Sequence, residues 1–212
     1  MSKKFWILLS VLVIALGFIW LSNDHNKTAK NTTAGGTITT HITGKPGAKV
    51  TLVEYSDFQC SYCKMYFPVV EQVIAKYQDR ISFEYRQYPL TTIHRNAFAA
   101  SRAAEAASKQ GKFWEMYRLL FVNQSAWENS GSSQSTFEGY ANQLGLNAAT
   151  FKTDFTSSAT NATINASIEE FNKRGLPTAT PTFLLNNKKI DPRATVEDFS
   201  KLIDEQLKNT PQ

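Results

Sequence analysis

The stretch YSDFQCSYCKMYFP, residues 55–68, holds both cysteines of the 212-residue chain, Cys60 and Cys63. Two residues at i and i+3 of a helix face the same side with their Cβ atoms about 5–6 Å apart. That separation suits a disulfide, whose Cα atoms stand roughly 4.4–6.8 Å apart. A bond so local closes a tiny loop and constrains the unfolded chain little, so a structural staple explains the spacing badly. Structural zinc takes four ligands, and the remaining candidates are His25, His41 and His94, scattered along the chain. The methionines Met1, Met65 and Met116 are equally dispersed, which gives no copper(I) cluster. A reversible redox pair is the reading the spacing favours, with a two-thiol metal ligand as its rival.

The flanks strengthen it. KVTLVEYSDF (49–58) is rich in β-branched and aromatic residues and reads as a strand that stops just before Cys60. From Cys60 to about Tyr77 a helical period places Phe67, Val70, Val73, Ile74 and Tyr77 on one face, with a kink expected at Pro68. ISFEYRQYP (81–89) alternates as a second strand, and strand–helix–strand over this length implies a parallel pair. Cys60 then falls at the first turn of a helix, where unpaired N–H groups and the dipole favour a thiolate. The lowered pKa makes its sulfur a nucleophile and a good leaving group, and Cys63, one turn inside, becomes the resolving thiol.

From Thr92 to Arg174 nearly everything reads helical, with segments near 136–144, 148–157 and 161–174 and a stop at Gly175. TFLLNN (182–187) and KKI (188–190) form a short antiparallel hairpin. A closing helix starts at Thr195, with Asp198 available for a capping box. The domain order is βαβ, a helical insertion over 92–175, then ββα.

The N-terminus sets the address. MSKK precedes an uncharged apolar run from Phe5 to Leu21, which as a helix rises about 26 Å, near the lower bound for a bilayer span. Lys3 and Lys4 hold the short end in the cytoplasm. The run exceeds a usual signal-peptide core and no A-x-A site follows directly, so an uncleaved anchor is favoured over a cleaved peptide. The expected layout is a cytoplasmic stub 1–4, a transmembrane signal anchor 5–21, a flexible polar tether 22–37 and a domain 38–212. Either anchor or leader places the domain outside the cytoplasm, where disulfides persist. The net charge is +5, of which residues 1–30 supply +3. The remaining surplus is too small and scattered to track phosphates, so nucleic acid is not an expected partner.

VEYSDFQCSYCK…FP, the helical insertion and TPTF (180–183) together resemble the thioredoxin-fold disulfide oxidoreductases of the DsbA type. The likeness is closest to membrane-anchored bacterial forms of the BdbD kind, over about residues 38–210. The resemblance implies an α/β thioredoxin-like fold and assigns roles. Cys60 is the solvent-exposed attacking cysteine and Cys63 its buried partner. Pro181 is the cis-proline beside them, preferred over Pro177. Thr180 offers backbone groups to a bound peptide, and Glu54 is the buried acid assisting proton transfer, the alternative being an edge-strand surface charge. Ser61 and Tyr62, the dipeptide between the cysteines, face the substrate, with Tyr66 beside the groove. The family's Pro–His dipeptide is replaced here, which implies a less acidic Cys60 and a milder oxidant. His94 is expected to cap or pack, and Phe113, Trp114, Tyr117 and Phe121 to fill the core.

The function implied is a disulfide oxidase for unfolded cysteine-containing clients, working as a monomer without metal or organic cofactor. A quinone-linked membrane thiol oxidoreductase is the implied reoxidant. The alternatives are a reductase or isomerase of the same fold and a tethered metallochaperone.

Overall fold

The computed structural model describes residues 36–210. The expected stub, the anchor 5–21 and nearly all of the tether lie outside the described residues. Among those described, no helix is long and apolar enough to cross a membrane.

β2 (Thr51–Ser56) and β3 (Ser82–Gln87) are almost wholly buried, as expected of strands covered on both faces. They pair in parallel, Glu54 opposite Tyr85, and α1 (Ser61–Tyr77) crosses between them. β1 (His41–Gly44) pairs antiparallel with β3. β4 (Thr182–Leu185) pairs antiparallel with β2, and β5 (Lys188–Ile190) with β4, so the sheet order is β1-β3-β2-β4-β5. β2 is therefore the central strand.

β1 is absent from the sequence reading, because HITG is too short to show a period. It is held by partners far along the chain. His41 Nε2 donates to Glu105 Oε1 at 2.8 Å, and its ring stacks on Phe113 with centroids 3.5 Å apart. Gln87 Nε2 donates to the same carboxylate oxygen at 3.0 Å, so Glu105 ties β1 and β3 to the helix Ala97–Ser108. The strand ends at Gly44 with φ 81°, and a Cβ there would sit 2.6 Å from the Ile81 carbonyl oxygen. Only glycine satisfies both demands.

At the other edge, Asn186 and Asn187 take φ 48° and 65°, which closes β4–β5 as a two-residue hairpin. The Asn186 side chain accepts from Thr51 N–H at 2.8 Å and donates to the Lys49 carbonyl at 3.0 Å, fixing the hairpin to the head of β2.

The helical insertion comprises α2 (Ala97–Ser108), α3 (Phe113–Val122), α4 (Gln124–Trp127), α5 (Ser133–Gln143), α6 (Ala148–Thr156) and α7 (Ser158–Lys173). α2 buries Ala100, Ala103, Ala104 and Ala107, small side chains that let its neighbours approach closely. α3 lies along α1. Phe121 stacks on Phe67 with centroids 5.2 Å apart, and Arg118 Nε donates to Glu71 Oε2 at 2.6 Å. Phe113, Tyr117 and Phe121 enter the main core and Trp114 packs against it. α7 covers the opposite sheet face, where Phe171 meets Tyr55 and Tyr88.

The closing helix α8 (Val196–Asn209) is capped by Thr195, whose side chain accepts from Asp198 N–H. The expected capping box is only half formed. Asp198 turns away to Arg193 and accepts from its Nε and Nη2 at 2.7 Å each. A bidentate guanidinium contact displaces the weaker return bond to the Thr195 amide. α1 runs as one helix through Pro68, the position at which a kink was expected.

Candidate active site

β2 delivers the site, and the turn after Ser56 aims it. Asp57 is fully buried and its carboxylate organises the turn. Oδ1 accepts from Gln59 N–H at 2.7 Å, and Oδ2 accepts from Leu90 N–H at 2.8 Å and from His94 Nδ1 at 2.7 Å. The insertion clamps the same turn from outside. Gln124 Nε2 donates to the carbonyls of Phe58 and Cys60, at 2.7 and 3.1 Å. Gln59 donates to Glu128 O at 2.8 Å and accepts from Asn96 N–H at 2.7 Å. Asn96 itself donates to the carbonyls of Trp127, Glu128 and Ser130.

Cys60 is the N-cap of α1, with extended backbone (φ −70°, ψ 126°). Cys63 lies one turn inside and is fully buried. Cys60 is only 6% exposed, which corrects the expectation of an open attacking sulfur. The cause is the segment before β4: the Cys60 thiol donates to the Thr180 carbonyl oxygen at 3.4 Å. The Thr180–Pro181 bond is cis, and no other cis bond occurs among the described residues.

Three ionisable groups are displaced from their ordinary values. The Cys60 thiol is lowered from 9.0 to about 6, chiefly by a hydrogen bond from the Cys63 thiol. Burial opposes this, while the Thr180 hydroxyl and the backbone N–H groups of Cys63 and Tyr62 assist. Burial pushes Cys63 well above 9.0, reinforced by the Cys60 sulfur and by the Glu54 charge. Glu54 lies on central β2, 1% exposed, which excludes the surface-charge reading. Burial raises its carboxyl from 4.5 to about 7, the Ser56 hydroxyl pulls it down, and a charge on Cys60 raises it further. One sulfur is thus poised as an anion, its neighbour as a thiol, and a carboxyl near neutrality sits behind them.

Beside this group lies a groove of ≈ 360 Å³ walled by Tyr62, Tyr66, Pro181, Phe183, Pro192 and Arg193. Tyr62 is 65% exposed, and Tyr66 is fixed by donating to the Pro192 carbonyl at 2.8 Å. Among the described residues no group of three or more His, Cys, Asp or Glu side chains is placed to hold a metal ion.

The family model described as Thioredoxin matches residues 36–205, which span the sheet, the insertion and this site. The chain belongs to the thioredoxin family. Its fold is of the DsbA type. BdbD from Bacillus subtilis, in its oxidised form, superposes with a TM-score of 0.68 at 23% identity, covering 82% of this chain and 97% of that one. Wolbachia pipientis alpha-DsbA1 superposes with a TM-score of 0.70 at 19% identity, covering 81% and 92%. A thioredoxin-like oxidoreductase from Silicibacter pomeroyi gives 0.66 at 24% identity, covering 80% and 92%. Among curated proteins, Na(+)/H(+) antiporter NhaA 1 of Mycolicibacterium gilvum is 34% identical over 188 residues. That alignment takes in 85% of this chain and 30% of the antiporter. The corresponding Salinispora arenicola protein is 31% identical over 163 residues, 77% of this chain and 24% of its own. The chain thus spans less than a third of either antiporter.

Within this thioredoxin-family domain, Cys60, Cys63, Glu54, Thr180, Pro181 and Tyr62 converge, drawn from β2, α1 and the head of β4. Ser61 is exposed at the start of α1. Sequence reasoning missed Asp57, Gln59, Asn96 and Gln124. The aspartate three residues before Cys60 was a legible signal, since Asx side chains order turns. The amides were not, because their partners are carbonyls some 30 to 70 positions away.

Proposed function

We propose that the chain is a membrane-tethered, exported thiol–disulfide oxidoreductase working as an oxidase on unfolded, cysteine-containing clients. The observation that carries this is the placement of Cys60 at the N-cap of α1, one turn from Cys63 and against the segment of the cis Thr180–Pro181 bond, surroundings that lower its thiol to about 6. A stabilised Cys60 thiolate stabilises the reduced pair, and a pair that prefers to be reduced oxidises others.

In the first step a client thiolate attacks Cys60 Sγ of the Cys60–Cys63 disulfide. The Cys60–Cys63 bond breaks, Cys63 leaves as a thiolate, and it takes the proton held by Glu54. A second client thiolate then attacks the client sulfur of the mixed disulfide, and Cys60 leaves as the stabilised thiolate. The client loses two electrons and the enzyme pair gains them. Thr180 and Pro181 present main-chain groups to an extended client, and Tyr62 and Ser61 contact its side chains. Return to the disulfide needs an electron acceptor, which we assign to a quinone-linked membrane thiol oxidoreductase. The apolar segment 5–21 tethers the domain in reach of such a partner. The relatives named as Na(+)/H(+) antiporters, proteins of membranes, agree with that placement.

Equilibration with glutathione redox buffers tests the direction. An oxidase gives a potential well above that of thioredoxin; a value near −270 mV assigns the chain to reductases instead. Cys63→Ala in the full chain, first oxidised at Cys60 to the mixed disulfide with glutathione, should exchange with reduced clients, release glutathione and accumulate client mixed disulfides through Cys60. Their absence, with stoichiometric metal held by the reduced wild-type pair, would favour the metallochaperone.

A further inference from the structure

Parallel pairing brings the C-terminal ends of β2 and β3 to one edge of the sheet, and antiparallel β4 begins at that same edge, with Thr182 opposite Tyr55. Cys60 therefore lies between two flanks. One is the cis Thr180–Pro181 segment before β4. The other is the loop after β3, residues 88–96, which carries His94. Of the exposed large apolar side chains among the described residues, Ile93 at 71% and Tyr62 at 65% are the most open, one on each flank. Apolar groups that rim a site mark where a partner sits.

His94 is bonded to the turn that holds Cys60. Its Nδ1 lies 2.7 Å from Asp57 Oδ2, and Asp57 Oδ1 accepts from the N–H of Gln59, the residue before Cys60. The Asp57 carbonyl accepts from Cys60 N–H at 3.1 Å. Both carboxylate oxygens already take backbone N–H groups, from Gln59 and Leu90, so Asp57 is the acceptor toward the imidazole and Nδ1 carries the hydrogen. The lone pair then sits on Nε2, which has no hydrogen-bond partner among the described residues. The imidazole neither caps α2, whose N-cap is Asn96, nor is sealed in by packing, its side chain being 21% exposed.

A thiol attacks as its thiolate, and an unperturbed cysteine at about pH 6.5 is only about 1% ionised. A carboxylate that holds one imidazole nitrogen fixes the tautomer and stabilises the imidazolium formed when the other nitrogen takes a proton. We propose that His94 Nε2 accepts the proton of a client thiol docked across Cys60 between the two flanks, so that the protein oxidises cysteines of ordinary acidity as well as those already ionised. The client S–H bond breaks, its proton goes to Nε2, and its electron pair forms the bond to Cys60 Sγ as Cys63 departs. The imidazolium returns its proton to solvent before the second client thiol arrives.

The step rests on the oxidase reading, and one experiment separates the two. The oxidised full chain is mixed at about pH 6.5 with alkyl thiols of graded acidity, all less acidic than that pH. Samples are quenched by alkylation, and free protein thiols are counted by mass spectrometry. Glutathione disulfide, treated alike, is the reference without a base. As thiol pKa rises, the ionised fraction falls faster than nucleophilicity grows, so the reference rate should drop about three- to fourfold per unit of thiol pKa. Wild type should drop by less than about twofold, and His94→Gln should restore the steepness of the reference. A wild-type series as steep as the reference overturns the assignment without recourse to any variant. So does a His94→Gln series parallel to wild type, because a group that only shapes the turn slows every thiol by the same factor. If no thiol opens the wild-type pair, the redox reading itself fails.

Discussion

Cys60 owes its acidity to a neighbour more than to its helix. The i, i+3 spacing and the strand that ends before it were legible, and they led to a thiolate held by the α1 N-terminus. In the structure the backbone N–H groups of Tyr62 and Cys63 do contribute, but the larger effect is the Cys63 thiol. That donor was invisible in the sequence, because whether one sulfur points at the other depends on how deep α1 sits on the sheet. The missing Pro–His dipeptide suggested a milder thiol for the same reason: side chains between the cysteines can be read, and the pocket around them cannot. Cys63→Ala should therefore raise the Cys60 midpoint above about 6, toward the ordinary 9.0. Thr180→Val, which removes the second side-chain donor, should raise it by a smaller step. Thiolate ultraviolet absorbance against pH measures both, and an unmoved midpoint in Cys63→Ala would assign the acidity to the helix after all.

At the scale of elements, the insertion is a clamp as well as a cover. Helical periodicity made most segments from 97 to 173 legible to within a few residues, since each buries one apolar face, but the four-residue α4 lies in a polar stretch too short to show a period. The bonds that join them to the active-site turn carry no period. A buried asparagine whose amide serves three carbonyls looks, in sequence, like any loop residue. Asn96→Ala would leave the Trp127, Glu128 and Ser130 carbonyls short of that donor. The expected loss is about 1–3 kcal/mol in urea unfolding of the reduced protein. A change within a few tenths would mean that water replaces the amide without cost. β1 offers the converse case, a four-residue strand with no pattern of its own. Its terminal Gly44 should not tolerate alanine, because φ 81° is strained for any side chain and the added Cβ meets the Ile81 carbonyl at 2.6 Å. Gly44→Ala is expected to lower the thermal midpoint in both redox forms, whereas Gly47→Ala, which has φ 71° but nothing within 4 Å, should cost less.

For the whole molecule, the site's electrostatics become a pH-dependent stability that differs between redox states. Glu54 is raised from 4.5 to about 7, so between those values the native state binds the proton more often than the unfolded chain. Stability therefore falls as pH rises through that window, in both redox forms. Cys60 has the opposite sign. Lowered from 9.0 to about 6, it is ionised in the native reduced protein while the unfolded chain keeps its proton, so stability rises between those values. The oxidised protein has no Cys60 thiol and lacks this second contribution. The reduced form should thus lose stability from about pH 4.5 to 6, hold level to about 7, and gain to about 9. The thermal midpoint of the reduced form should climb relative to the oxidised form from pH 6 to 9, since groups remote from the sulfurs cancel in the difference. Above that range Cys63, raised well above 9.0, reverses the trend. Calorimetry of both forms measures the gap directly. Glu54→Gln should abolish the shared decline at acid pH and keep the redox difference. A gap that stays constant or narrows between pH 6 and 9 would show that folding does not stabilise the Cys60 thiolate, and the driving force assigned to client oxidation would be lost with it.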